Sequence, residues 1–177
     1  MVSRRELKSA HEEAVLRQFS NHLENEGGCL EVLGRPDPPE AIVKLNGERT
    51  WIEITDAFLD QDHAIDLTSG ASDDMDHIRD DRRLIVEPDA TFSSVLHSVI
   101  AAKYEKASMR SVATDLGPGI LLVGVFTPFT TAEAVAHNEA AAVASLISNK
   151  PVKLFRSIYA YDGTGKRNFH TLYRREA

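Results

Sequence analysis

The chain predicts an α/β domain, a mixed central sheet with helices on both faces. Three observations carry this. Segments of helical and of strand-like periodicity alternate along the chain, the pattern of layered α/β folds. Ile120 to Phe126 is an unbroken apolar run of strand length, as expected of a strand covered on both faces. Ala41–Leu45 and Arg49–Thr55, rich in β-branched and aromatic residues, flank Asn46-Gly47, a pair that readily supplies the two positive φ angles of a tight hairpin turn.

The 177 residues fit one domain spanning 1–177, able to bury roughly 70% of its unfolded surface. A composition of 42% hydrophobic and 27% charged residues is that of a soluble globular protein. The net charge of −7 argues against a broadly basic nucleic-acid surface and leaves room for a local basic groove. Lys and Arg do cluster, from Lys103 to Arg110 and from Lys166 to Arg175. With Cys29 as the single cysteine, no intramolecular disulfide can form, and a reducing compartment is the simplest setting. No apolar run reaches the length of a membrane span, and Met1 to Arg5 has no signal-peptide core, so the expected location is cytoplasmic, without membrane.

In order, Ser3 to Asn25 reads as a helix, opened by a Ser3/Glu6 capping box and carrying an amphipathic stripe through Val15, Phe19 and Leu23. Gly27-Gly28 ends it. Cys29 to Leu33 is a short strand, with Cys29 as a small core residue, leading into Arg35-Pro36-Asp37-Pro38-Pro39 and the hairpin. Ala57 to Asp89 is acidic and poor in apolar residues, with His63 and His77 among many aspartates. It reads as a solvated excursion with a short helix near Asp74 to Arg83. Phe92 to Ser111 is a second helix, capped by Thr91 or Ser93, and Gly117-Pro118-Gly119 precedes the apolar strand. Thr130 and Glu133 form a further capping box for a helix of small residues through Ile147. Lys153–Tyr161 and Arg167–Arg174 close the chain as a hairpin around Asp162-Gly163-Thr164-Gly165.

Five charged residues stand out against this background. Glu53 lies between Ile52 and Ile54 in a strand apolar enough to be central, where a carboxylate must be paired, hydrogen-bonded or metal-bound. Asp37, between prolines just before the hairpin, is the nearest second acid, and together the two form a candidate metal site. A two-residue turn pairs Leu45 with Glu48 and Ile42 with Trp51, which sets Glu40 opposite Glu53 and makes it the reserve ligand. Glu12, spaced 3-4-4 with Val15, Phe19 and Leu23, leans to the buried side of the first helix, the alternative being a solvated flank. Lys103 falls on the apolar stripe of Phe92, Leu96 and Val99; its plainest alternative role is a snorkelling side chain with a buried stem.

The element order α-β-β-β-α-β followed by α-β-β, with Pro36-Asp37, Glu53-Ile54-Thr55 and Glu12 at their places in it, resembles the PD-(D/E)xK nuclease superfamily over residues 3 to 126. The resemblance implies a restriction-endonuclease-like fold and a metal-dependent nuclease hydrolysing phosphodiester bonds, with DNA as partner. Asp37 and Glu53 would then hold Mg²⁺ or Mn²⁺, while Glu12 and Lys103 complete the catalytic set. Thr55 stands where the family pattern has its lysine. Some members are similar in carrying that lysine on the helix after the third strand, and Lys103 is the residue so placed. Two rivals stand beside this reading. One is a catalytically inactive nuclease-like binding or assembly module. The other is an α/β binding domain in which Glu53 pairs with Arg35 or Arg49. Homodimerisation is left open.

Overall fold

The computed structural model of the chain describes residues 3–59 and 87–175. The stretch from Asp60 to Val86, which holds His63, His77 and the short helix expected near Asp74 to Arg83, lies outside the described residues.

The first helix, α1 (Arg4–Asn25), opens on the capping box. Ser3 N donates to Glu6 Oε2 at 2.8 Å, and Glu6 N donates back to Ser3 Oγ at 3.4 Å. The strands follow as β1 (Leu30–Gly34), β2 (Ala41–Leu45) and β3 (Glu48–Phe58). Two helices come next, α2 (Pro88–Glu105) and α3 (Ala107–Leu116), then β4 (Gly119–Phe126), α4 (Ala132–Ser148), β5 (Phe155–Asp162) and β6 (Phe169–Arg174). The six strands form one sheet in the order of the chain. It is mixed: β3, β4 and β5 run parallel to their neighbours in that trio, and the other pairings are antiparallel.

Strand alternation sorts the core into two layers. On one face Ile52, Ile54, Ile120 and Leu122 pack with Val15, Leu16, Phe19 and Leu23 of α1. On the other, Trp51, Ala57, Leu121, Val123 and Val125 pack with residues of α2, α3 and α4. The all-apolar composition of β4 follows from this double coverage, since Gly119 to Val125 are all buried. The hairpin has the register expected from its turn, with Leu45 opposite Glu48 and Ile42 opposite Trp51, and Asn46 and Gly47 take φ of 51° and 87°.

Four local expectations change. The helix expected over Phe92 to Ser111 is two helices, because Lys106 adopts extended backbone (ψ 121°) between α2 and α3. Its start is Pro88, whose fixed φ suits the first helical position, so neither Thr91 nor Ser93 is the cap. Ser93 Oγ instead donates to Glu139 of α4. The cap of α4 is Thr131, whose hydroxyl accepts from Ala134 N, rather than Thr130. Cys29 is exposed, just before the edge strand β1, and only its backbone is engaged, by Asn46 Oδ1. Among the described residues no helix is long and apolar enough to cross a membrane.

Candidate functional site: an acidic notch at the end of strand β2

The last pair of the β2–β3 ladder is Ala41 with Ile52, and β3 continues to Phe58. Beyond Ile52 the strand therefore lacks its β2 neighbour, and a cavity of ≈ 420 Å³ lies there, lined by Glu53 to Asp56. Because the notch interrupts the sheet itself, side chains from both layers reach it. Lys8, His11 and Glu12 come from α1, Lys103 from α2, and Glu40 from the residue preceding β2.

Glu53 and Lys103 meet here across 50 positions of sequence. Lys103 Nζ donates to Glu53 Oε1 at 2.6 Å and to the Ile54 carbonyl at 3.4 Å. The two residues are 4% and 8% exposed, so the apolar setting that made each charge stand out in the sequence is real, and each answers the other. Glu53 thus pairs with neither Arg35 nor Arg49. Arg35 Nη2 binds Glu12 Oε2 at 2.8 Å. Glu12 is buried while its neighbour Glu13 is exposed, as the 3-4-4 spacing requires.

Lys8 gathers the remaining acids. Its Nζ lies 3.1 Å from Glu12 Oε1, 3.4 Å from Glu40 Oε1 and 3.6 Å from Asp37 Oδ2. Burial opposes the lysine's charge, but the hydrogen bond to Glu12 and the charges of Glu40, Glu12 and Asp37 outweigh it and raise the Lys8 pKa. Glu40 is pushed up to about 7, first by burial and then by the charge of Glu12, against the pull of Lys8. Asp37 lines the cavity from an exposed position, whereas Glu40 is buried. The reserve ligand is therefore the more deeply placed of the two.

A second polar group adjoins the acids. Asp56, Gly124 and Tyr161 sit side by side on β3, β4 and β5. Tyr161 reaches across the glycine to donate to Asp56 Oδ1 at 2.6 Å. A Cβ on Gly124 would lie 2.4 Å from that oxygen and 2.8 Å from the Tyr161 hydroxyl. Burial first, then Asp56, raises the Tyr161 pKa well above its ordinary value, keeping the phenol a donor. His11 Nε2 stands 3.1 Å from Asp56 Oδ2, and Arg167 Nη2 is 3.3 Å from His11 Nδ1. A guanidinium only donates, so Nδ1 accepts and Nε2 carries the hydrogen directed at Asp56. Arg167 also donates to Gln18 and borders a second polar cavity of ≈ 780 Å³, lined in part by Asn21, His22, Lys166 and His170.

Of the sequence candidates, Glu12, Asp37, Glu53 and Lys103 all line the one cavity, and so do Glu40 and Thr55. Lys8, His11 and Asp56 were not singled out by sequence reasoning. The signal for Lys8 was available, since it precedes Glu12 by one helical turn on the same stripe. Among the described residues no group of three or more His, Cys, Asp or Glu side chains stands ready to hold a metal ion. The chemistry of the donors nonetheless suits a hard cation. Among the described residues Glu40 Oε2 and Glu53 Oε2 are buried without a hydrogen-bond partner, acceptors of the kind that burial makes costly. Protein-family models, characterised proteins and solved structures were each compared with the chain, and none matches it.

Proposed function

We propose that the notch is the active site of a metal-dependent nuclease that hydrolyses phosphodiester bonds, with DNA as substrate. The observation that carries the reading is the meeting of Glu53 and Lys103 in a cavity that also gathers Glu12, Asp37 and Glu40. The described elements run α-β-β-β-α-α-β-α-β-β, which supports this reading. Asp37 and Glu53 would hold Mg²⁺ or Mn²⁺, with Glu40 beside them. The ion, when bound, supplies an acidified water and stabilises charge developing on the phosphate.

The chain's own groups have separable tasks. An ammonium has three N–H donors; Lys103 directs two at Glu53 Oε1 and the Ile54 carbonyl and keeps the third for a phosphate oxygen. As the water oxygen bonds to phosphorus and the P–O bond to the leaving oxygen breaks, negative charge on the phosphoryl oxygens grows toward this fixed cation. Glu12, held by Arg35, orders the acid side of the cavity. Lys106 at the same cavity, and Lys166 and Arg167 at the neighbouring one, supply positive charge for the strand on either side.

The decisive assay incubates plasmid and single-stranded DNA with Mg²⁺ or Mn²⁺, using wild type, Glu53→Ala, Lys103→Met and Lys103→Arg, with the folded fraction of each checked by circular dichroism. Wild type should cut, Glu53→Ala should be inactive, and Lys103→Met should lose at least about a hundredfold, the scale of losing a positioned electrostatic group. Equal cutting by Lys103→Met would remove the lysine from the chemistry. No cutting by folded wild type with either metal would favour the inactive binding module, for which Thr55 at the family's lysine position is the specific observation.

A further inference from the structure

We infer that Lys8 is the resident cation of a position that a small divalent metal ion takes over, its ammonium swinging out to solvent as the ion arrives. The inference rests on the metal-dependent reading above, and it concerns a second ion position beside that of Asp37 and Glu53, on the acids around Lys8, with Asp37 common to both.

Two lysines bind acids of the notch, and they are held differently. Lys103 is buried and bound at 2.6 Å to one carboxylate. Lys8 has a side chain 55% exposed and divides itself among three carboxylates, within hydrogen-bond distance of Glu12 at 3.1 Å and more loosely set against Glu40 at 3.4 Å and Asp37 at 3.6 Å. Such loose sharing is what a compact, strongly hydrated charge on a flexible stem achieves among acids whose geometry it does not match. Ionised, these acids call for a cation. Glu12 and Glu40 are 6% and 5% exposed, and an uncompensated buried carboxylate is too costly to persist. Among the described residues Glu40 Oε2 has no hydrogen-bond partner, and Glu12 Oε1 meets only Lys8.

Formal charge points the same way. With Lys8 and Arg35 in place, Glu12, Asp37 and Glu40 retain one uncompensated negative charge. Exchange of the ammonium for a divalent ion removes it. Oxygen ligands approach Mg²⁺ at about 2.0–2.1 Å, closer than any carboxylate now stands to Lys8 Nζ, so the carboxylates would close inward by about 1–1.5 Å. Lys8, with its side chain 55% exposed, has an open route to solvent, and its departure gives up one hydrogen bond, to Glu12.

The test uses MnCl₂ alone as the probe. Calorimetric titration of wild type, Lys8→Met and Lys8→Arg should show Lys8→Met binding Mn²⁺ at least tenfold more tightly than wild type, with Lys8→Arg no tighter. In parallel, brief acylation of wild-type lysines followed by mass spectrometry should show labelling of Lys8 rising severalfold at saturating Mn²⁺, with exposed Lys166 as the internal standard. Equal or weaker Mn²⁺ binding by Lys8→Met overturns the inference, as does the lack of Mn²⁺ binding in both proteins. Should Lys8→Met not fold, the labelling arm decides alone, and Lys8 labelling unchanged by bound Mn²⁺ refutes displacement. If Mn²⁺ binds and releases Lys8 while no DNA is cut, the exchange stands and the nuclease reading falls.

Discussion

Neither charge of the Glu53–Lys103 pair can be removed alone, because their side chains are only 5% and 10% exposed. Deleting one partner strands the other in an apolar environment, at a cost of about 3–5 kcal/mol. Lys103→Met should therefore lower stability by that amount in urea unfolding, and Lys103→Met/Glu53→Gln should recover most of it. A double variant no more stable than the single would mean that Glu53 finds another partner when Lys103 is gone. Both residues were legible in the sequence for the same reason that they are coupled: each is a charge in an otherwise apolar pattern. Lys8 carried only the weaker signal of lying one turn before Glu12, and a lysine near the start of an amphipathic helix looks like any solvated lysine until the acids around it are located. Asp56 was hidden by its place at the end of a strand, where a polar residue ordinarily marks the approach of a loop.

On the level of elements, β4 was recognised as buried from its apolar run, but Gly124 within that run passed as one more small residue. Its function depends on what stands on both sides, Asp56 on β3 and Tyr161 on β5, and such lateral neighbours are fixed only when the sheet assembles. Gly124→Ala should displace the Tyr161–Asp56 hydrogen bond and lower stability by about 1–3 kcal/mol, the range for adding one methyl group to a full core. Thermal unfolding beside Tyr161→Phe checks it; a fully tolerated alanine would show that β4 yields where its packing says it should not. The division between α2 and α3 was equally unreadable, since Lys106-Ala107 contains no helix breaker. The break places Met109 in the same core as Leu96 and Ile100, so tertiary burial overrides local preference. The β2–β3 register, by contrast, follows from turn chemistry confined to a few residues, and it could be read directly.

For the molecule as a whole, carboxylates converging from separate parts of the chain make folding responsive to pH. Glu40 titrates at about 7 when folded, against an ordinary value of 4.5, because of burial first and the charge of Glu12 next, with Lys8 opposing and Glu53 and Asp37 adding to the rise. Between those values the native state holds a proton that the unfolded chain has released. The contribution of Glu40 is thus fully present below pH 4.5 and lost as pH rises through about 7. In metal-free buffer, the urea midpoint of wild type should fall relative to that of Glu40→Gln from pH 5 to pH 8. Parallel curves would place the titration on another group. Sequence alone gave the alternation that makes this an α/β domain. It could not give the notch, which depends on β2 ending before β3 does and on helices from opposite layers meeting at that gap.

The capping box of α1 has a consequence well away from its own turn. Ser3 and Glu6 close the helix just ahead of Lys8, so the lysine keeps its aim only while the opening of the helix stays wound. Loss of a cap costs about 1 kcal/mol, which by the usual logarithmic relation makes unwinding about fivefold more frequent. Each such fraying event withdraws a positive charge from Glu12, Asp37 and Glu40 together. A pair of surface hydrogen bonds thereby acts as a rheostat, setting how often the acids of the cavity face one another bare.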